Sequence, residues 1–350
     1  MNLKKYSCLL VIVVVTACKK TTPATTVSGT NTDADVYAVG NTFFNNITTA
    51  TYWKNGVPAT LPNASNFNSN GNGIAVQGND VYVVGTYNGT SGIVDCYWKN
   101  GIITTLSNGG AYDSTNAIAV NGNDVYIVGV AGNKGVCWKN GVSLAFDNSA
   151  TSIVYAITIQ GNDIYMAGST YITSLGNYVA AYWKNGIMST LSDKRSVANG
   201  IAVNGADVHI AGGVVVPTQT NLGFYTGAYW RNGVYKKLAI DSLSLAGASA
   251  IALQGNDVYI AGSAEIYTSP SSFLPVAIYW KNGIATLLTN VAQNNSYAYA
   301  IATQGNDLYV GGGIDRTPGV ATYWKNNAAV QLAPISGVST VIKGLVVVPH

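Results

Sequence analysis

Apolar and polar positions in this chain recur at an interval of 39–50 residues. Within each interval the apolar positions form four short β-rich runs divided by turn residues. One unit shows the order. Ile74-Ala75-Val76 (segment a) leads through Gly78-Asn79-Asp80 to Val81-Tyr82-Val83-Val84 (b). Tyr97-Trp98 (c) then leads through Asn100-Gly101 to the run that ends at Leu106 (d). Asn-Gly between two such runs is the strongest short-range hairpin signal. Gly-Asn-Asp predicts a second tight turn, in which the Asp can bond its own backbone. Segment b is apolar at consecutive positions, not alternate ones, which predicts a strand covered on both faces of its sheet.

The unit repeats seven times. All seven tryptophans, Trp53, Trp98, Trp138, Trp183, Trp230, Trp280 and Trp324, lie in versions of Tyr-Trp-Lys-Asn-Gly, with Cys137, Arg231 and Asn327 as its few substitutions. A second motif, Asp-Val-Tyr-x-x-Gly, begins at Asp35, Asp80, Asp124, Asp163, Asp207, Asp257 and Asp307. An apolar residue stands eight positions beyond each Trp, from Leu61 to Leu332, with Phe146 in the third repeat. Four-stranded sheets repeated at this period describe propeller blades. The first repeat has no segment a of its own. Leu345 follows Leu332 at the spacing that separates Ile74 from Leu61, so the last strand is expected to complete the first blade. Such closure removes the exposed sheet edges that invite aggregation. The expected fold is all-β: a seven-bladed β-propeller of four-stranded antiparallel blades over residues 35–350.

Composition narrows the chemistry. Only 9% of residues are charged against 48% hydrophobic, the reverse of a disordered chain. The formal charge of +3 leaves too little basic surface for a nucleic-acid partner. Lys4 and Lys5 precede the apolar run Cys8 to Ala17, which is too short to span a bilayer and has signal-peptide proportions. The run ends in Val15-Thr16-Ala17-Cys18, which resembles a bacterial lipobox. That resemblance implies a signal peptide over 1–17, acylation of Cys18 and anchoring to the cell envelope. Lys19 at the following position favours the outer membrane. Residues 18–34, rich in Thr and Ser, then read as the lipidated Cys and a flexible tether. With both elements in place the chain resembles bacterial β-propeller repeat lipoproteins over 35–350. It lacks the Trp-Asp ending of WD40 repeats, the paired glycines of kelch repeats and the aspartate box of sialidases.

Strand alternation sends the a–b and c–d turns to one face of the ring and the b–c and d–a loops to the other. The first set is uniform in length, while the b–c segments hold 7 to 16 residues. Variable loops on a rigid ring are where ligands bind. The candidate ligand contacts on that face are Phe43, Tyr87, Tyr171, Tyr178, Tyr225, Glu265, Tyr267 and Arg316, with Phe44, Phe224 and Phe273 beside them. Exposed aromatic rings among hydroxyl and amide groups suit sugar faces; the competing reading is that they pack the loops onto the ring. The repeated Asp residues read as turn caps, with Asp–Lys pairing around the rim. His209 replaces a repeat Tyr, and Cys96 and Cys137 read as buried thiols facing away from each other. No cofactor or metal is expected. The functional expectation is a membrane-anchored, monomeric, non-catalytic module that recognises a glycan or an envelope protein. The alternatives are a scaffold of an envelope complex, or a carbohydrate-active enzyme drawing on Asp95, Glu265 and Asp315.

Overall fold

The structure, a computed structural model, describes residues 34–62, 68–90, 92–106, 113–144, 151–216, 224–238, 245–269, 272–289, 295–315, 318–332 and 338–350. Seven four-stranded antiparallel sheets account for every strand, and no helix occurs among the described residues. Blade 1 joins Ser339–Pro349 to Ala34–Phe44, Ile47–Lys54 and Val57–Thr60, so the two ends of the chain share one sheet. Blades 2 to 7 occupy residues 69–105, 114–144, 152–190, 196–237, 245–287 and 296–331. Leu345 pairs with Ala38 as Ile74 pairs with Val83, the register the spacing predicts. Strands a of successive blades contact one another all round, including across the closing blade, so they line the axis and strands d form the perimeter.

A radial sheet can bury its two faces only against its neighbours, and each buried cluster is a seam between consecutive blades. The repeat Trp supplies one side of the seam and the apolar residue of the preceding strand d supplies the other. Trp98 packs with Leu61, Trp230 with Leu191, Trp280 with Leu238 and Trp324 with Leu288. Trp53 with Leu332 closes the circle. Six of the seven Trp residues are at most 1% exposed. Removing that much aromatic surface from water is the largest favourable contribution at each seam.

The glycine five residues after each repeat Asp has a steric cause. Each strand a carries a β-bulge opposite strand b, which swings one carbonyl onto the glycine Cα. A Cβ at Gly85 would lie 1.8 Å from the Asn70 carbonyl oxygen, and all seven equivalent glycines meet a carbonyl at 1.8–2.0 Å. The bulge also leaves one extra residue on each innermost strand. These are Asn72, Asn116, Tyr155, Asn199, Ser249, Tyr299 and Lys343. Three of the Asn side chains donate to a carbonyl of the next blade: Asn72 to Thr115, Asn116 to Val154 and Asn199 to Ala248.

The turns of the uniform face follow their sequences. In the c–d turns Asn and Gly both take positive φ, as a type I′ turn requires, and Asn327 adopts φ 72° in place of the missing Gly. The repeat Asp differs from the turn-cap expectation. It ties its own hairpin to the neighbouring one. Its Oδ1 accepts from the turn Asn at 2.6–2.8 Å. Its Oδ2 accepts from the repeat Lys or Arg at 2.5–2.9 Å in all seven blades. The physical reason is that the Asp opens strand b beside the end of strand c, where the backbone N–H that follows it donates to the turn Asn Oδ1 and leaves the carboxylate to the Asn amide and the repeat cation. In blade 5 both partners change together, with Arg231 on Asp207 and His209 bonded through Nδ1 to the Tyr229 hydroxyl at 2.7 Å.

Two outcomes follow from this architecture. Gly85→Ala forces a backbone clash and should lower stability by roughly 1–3 kcal/mol, as overpacking does, whereas Gly247→Ala, with open space around its Cβ, should leave it unchanged. Urea titrations of the two variants check this. Each rim Asp is held below the usual carboxylate range, first by the hydrogen bond from its Lys or Arg and further by the turn Asn. A depressed carboxylate adds stability above its unfolded value near ~4, and that contribution disappears as pH falls through the folded value. The melting temperature should therefore be flat down to about pH 4 and drop below it, with Asp163→Asn flattening the drop.

Candidate functional site

Among the described residues of the variable face, strands b and c of several blades continue as long hairpins. Strands b and c of blade 6, Asp257–Ser269 and Ser272–Lys281, stay paired well beyond the ring, whereas those of blade 3, Asp124–Ala131 and Lys134–Lys139, stop short. Extra residues between the repeat Gly and Tyr thus become extra rungs of sheet. Rigid rungs hold side chains in place better than a free loop would.

The larger cavity lies on this face at blades 5, 6 and 7. It encloses about 490 Å³, within the range of small-ligand sites. Tyr225, Phe273 and Tyr297 bring aromatic rings to its wall, with Pro275, Ser249, Ser263 and Glu265 between them. Glu265 sits on strand b of blade 6 in register with Leu245 and Pro275. Tyr297 lies on strand a of blade 7, stacked on Tyr299 with ring centroids 6.0 Å apart and planes at 10°. Burial raises the Tyr297 phenol, and the charges of Asp315 and Glu265 raise it further. Glu265 and Tyr297, from adjacent blades, thus share one cavity wall. On the other side of the stack the Lys343 ammonium lies 4.0 Å from the centre of the Tyr299 ring, a cation–π contact, and burial lowers the pKa of that lysine.

A second cavity of about 290 Å³ opens at blades 3 and 4, lined by Asn116, Asn133, Tyr155 and Tyr178 among others. Tyr155 stands on the innermost strand of blade 4, in the wall of this second cavity. Burial raises its phenol, and the neighbouring Tyr225 and Tyr178 add to the shift. Tyr178 in turn meets Tyr171 edge-to-face at 5.3 Å, and the Arg195 guanidinium lies 5.9 Å from the Tyr225 ring. An arc of aromatic side chains therefore runs over blades 4 to 7, with Glu265, Asp315, Arg195 and Lys343 beside it.

The sequence-predicted candidates divide. Tyr225 and Glu265 come together in the larger cavity, and Tyr171 and Tyr178 join the arc. Phe43 is 44% exposed on blade 1, and Tyr87 packs onto the seam of blades 1 and 2, so neither lines a cavity described above. Cys18, Arg316 and the Tyr267 side chain lie outside the described residues. Asp95, expected as a loop charge, is instead fully buried in strand Gly92–Lys99, opposite Thr86. It occupies the position that Ala50, Ala180 and Ala277 fill in other blades, because the hairpin extends strand c past it. Cys96 and Cys137 are free and buried, and burial pushes the Cys137 thiol up to about 12. Tyr155, Tyr297, Tyr299 and Lys343 were missed because they precede the segment a motif, in residues read as the d–a connection that the structure shows to be strand. The available signal was Ser296-Tyr-Ala-Tyr-Ala-Ile301, where large and small residues alternate.

No family model matches the chain, and no curated protein matches it. Among solved structures it is similar to the tricorn protease, with TM-score 0.50 at 8% identity, covering 90% of this chain and 36% of that one. It is also similar to an ulvan lyase of a polysaccharide lyase family, with TM-score 0.47 at 10% identity, covering 78% and 81%. A thermostable family-43 glycoside hydrolase gives TM-score 0.38 at 10% identity, covering 64% and 95%. These likenesses concern the fold alone. The chain is a seven-bladed β-propeller. The non-catalytic expectation is corrected here: the tricorn protease, an enzyme, stands among the structures it is similar to, so this architecture gives no ground for excluding catalysis. The physical reason is that a rigid ring presents whatever side chains its hairpins carry.

Proposed function

We propose that this chain is a lipid-anchored envelope protein whose variable face binds a glycan along the aromatic arc of blades 4 to 7. One observation carries the reading: the cavity of about 490 Å³ that places Tyr225, Phe273 and Tyr297 around Glu265 and two serines. Flat apolar rings stack on the C–H faces of sugars, and carboxylate and hydroxyl groups accept from sugar hydroxyls. The side chains are few-rotamer aromatics on paired strands, so little ordering opposes binding. The anchor is supported by the Lys4-Lys5, apolar-run and Cys18 pattern, and several acyl chains would hold the protein stably at an outer membrane.

A second reading, cleavage of the bound glycan, is favoured by the Glu265 carboxylate in the cavity wall beside Tyr297, with the charge of Asp315 also reaching that tyrosine. Two carboxylates beside a bound sugar are the usual requirement for glycoside hydrolysis.

Glycan-array screening of the full mature chain, followed by titration calorimetry on any hit, tests the reading. Tyr225→Ala and Tyr297→Ala should each weaken binding roughly tenfold or more, as buried aromatic anchors do, and Phe43→Ala should not. Binding that survives both substitutions would remove the arc from consideration, and a clean negative on folded protein would shift the site to a protein partner. Release of new chain ends from the bound glycan, abolished by Glu265→Gln with binding retained, would establish the second reading.

A further inference from the structure

The uniform face carries a feature that glycan binding leaves unexplained. The first residue after the c–d turn opens strand d at the rim of that face. In six blades it is a β-branched aliphatic: Val57, Ile102, Val142, Ile187, Val234 and Ile284. All six are 68–75% exposed, and the seventh equivalent is Ala328. Scattered exposed aliphatics need no explanation. These occupy one repeat position and so encircle one face. The cation before each turn is paired with its Asp. The rim is thus an apolar ring over paired charges, with the Lys236 ammonium added at the c–d turn of blade 6 beside Gly283, so no negative field repels an anionic surface.

The chain enters the propeller on this same face. Ala34 opens strand b of blade 1 opposite Pro349, at the place where the other blades have their a–b turn. Sixteen Cα–Cα steps, 34 minus 18, lead from Cys18 to Ala34. A coil of that length has a typical end-to-end distance of roughly 20–24 Å and a limit of roughly 53–58 Å. A chain that joins the ring on the uniform face reaches that face first, and presenting the variable face to the anchor would add the full height of the ring to its path.

We propose that the uniform face rests on the lipid bilayer, with the ring of Val and Ile side chains seated at headgroup depth and the aromatic arc directed away from the membrane. This rests on the acylation of Cys18 proposed above. The occupant is a lipid surface, chosen over a protein partner by the entry point of the tether and by the repetition of the ring around the whole face.

Full-length mature protein is reconstituted in vesicles of phosphatidylethanolamine and phosphatidylglycerol, with nitroxide labels at Ile102→Cys, Ile187→Cys, Ile284→Cys and, on the opposite face, Tyr171→Cys. Cys96 and Cys137 are buried and stay unlabelled. The three rim labels should lose collisions with a water-soluble nickel chelate and gain collisions with oxygen, while the Tyr171 label remains open to nickel. Equal water access at all four labels on acylated protein overturns the proposal, as does protection of Tyr171 alone. Rim protection that rises with protein concentration at constant lipid overturns it in favour of a second copy. Mass spectrometry of the N-terminal residue separates these failures from the absence of acyl chains on Cys18, which would remove the anchor itself.

Discussion

Everything in this molecule depends on the seam between one blade and the next. A four-stranded radial sheet has two apolar faces and no layer of its own to cover them. The Trp of one blade and the apolar strand-d residue of the preceding blade make that cover, as between Trp280 and Leu238. A row of such seams would leave two bare faces at its ends. The pairing of Ser339–Pro349 with Ala34–Phe44 converts the row into a ring and brings Trp53 onto Leu332. Stability is therefore shared round the circle, and each seam can be uniform while the hairpins above it vary.

Uniformity and variation are separated by height along the axis. Below the seams the Asp, Lys and Asn of each blade satisfy one another, so those positions repeat with little change. Above them the paired strands extend by as many rungs as the sequence supplies. Blades 5 and 6 carry the longest insertions, and the larger cavity lies there. The innermost strands contribute as well, since their bulges put Tyr155, Tyr299 and Lys343 beside the axis. A ligand on the variable face would meet rings held by sheet hydrogen bonds. The opposite face, ringed by exposed Val and Ile, is left for a surface, and the entry of the chain on that side is consistent with a membrane.

Much of this was legible in the residues. Blade number, strand order, the shared first blade and the two kinds of turn all follow from motifs that recur within a few positions, because turns and strand pairing are decided by nearby residues. Asn-Gly between segments c and d takes positive φ at both residues, whereas Asn70-Gly71 and Asn199-Gly200 lie within strands, and the apolar residue eight beyond each Trp reports the end of strand d. The glycine of the Asp-Val-Tyr-x-x-Gly motif was visible as well, but its cause was not. The bulge that presses a carbonyl onto it belongs to the pairing of strands a and b.

By itself the sequence determined the ring and which face would vary, since the motifs recur seven times and every copy reinforces the others, and it determined the closure because the first copy is completed by the last strand at the spacing the others share. Only the tertiary structure decided the site. Tyr225, Glu265 and Tyr297 come from three different blades and share no local pattern. They meet because the ring angle between blades carries the end of one hairpin over the inner strand of the next. The same geometry buried Asp95 and left Phe43 and Tyr87 away from the cavity. Local residue preference sets turns and strands within a blade, whereas proximity across blades is set by how sheets pack around an axis, and no short stretch of sequence encodes that.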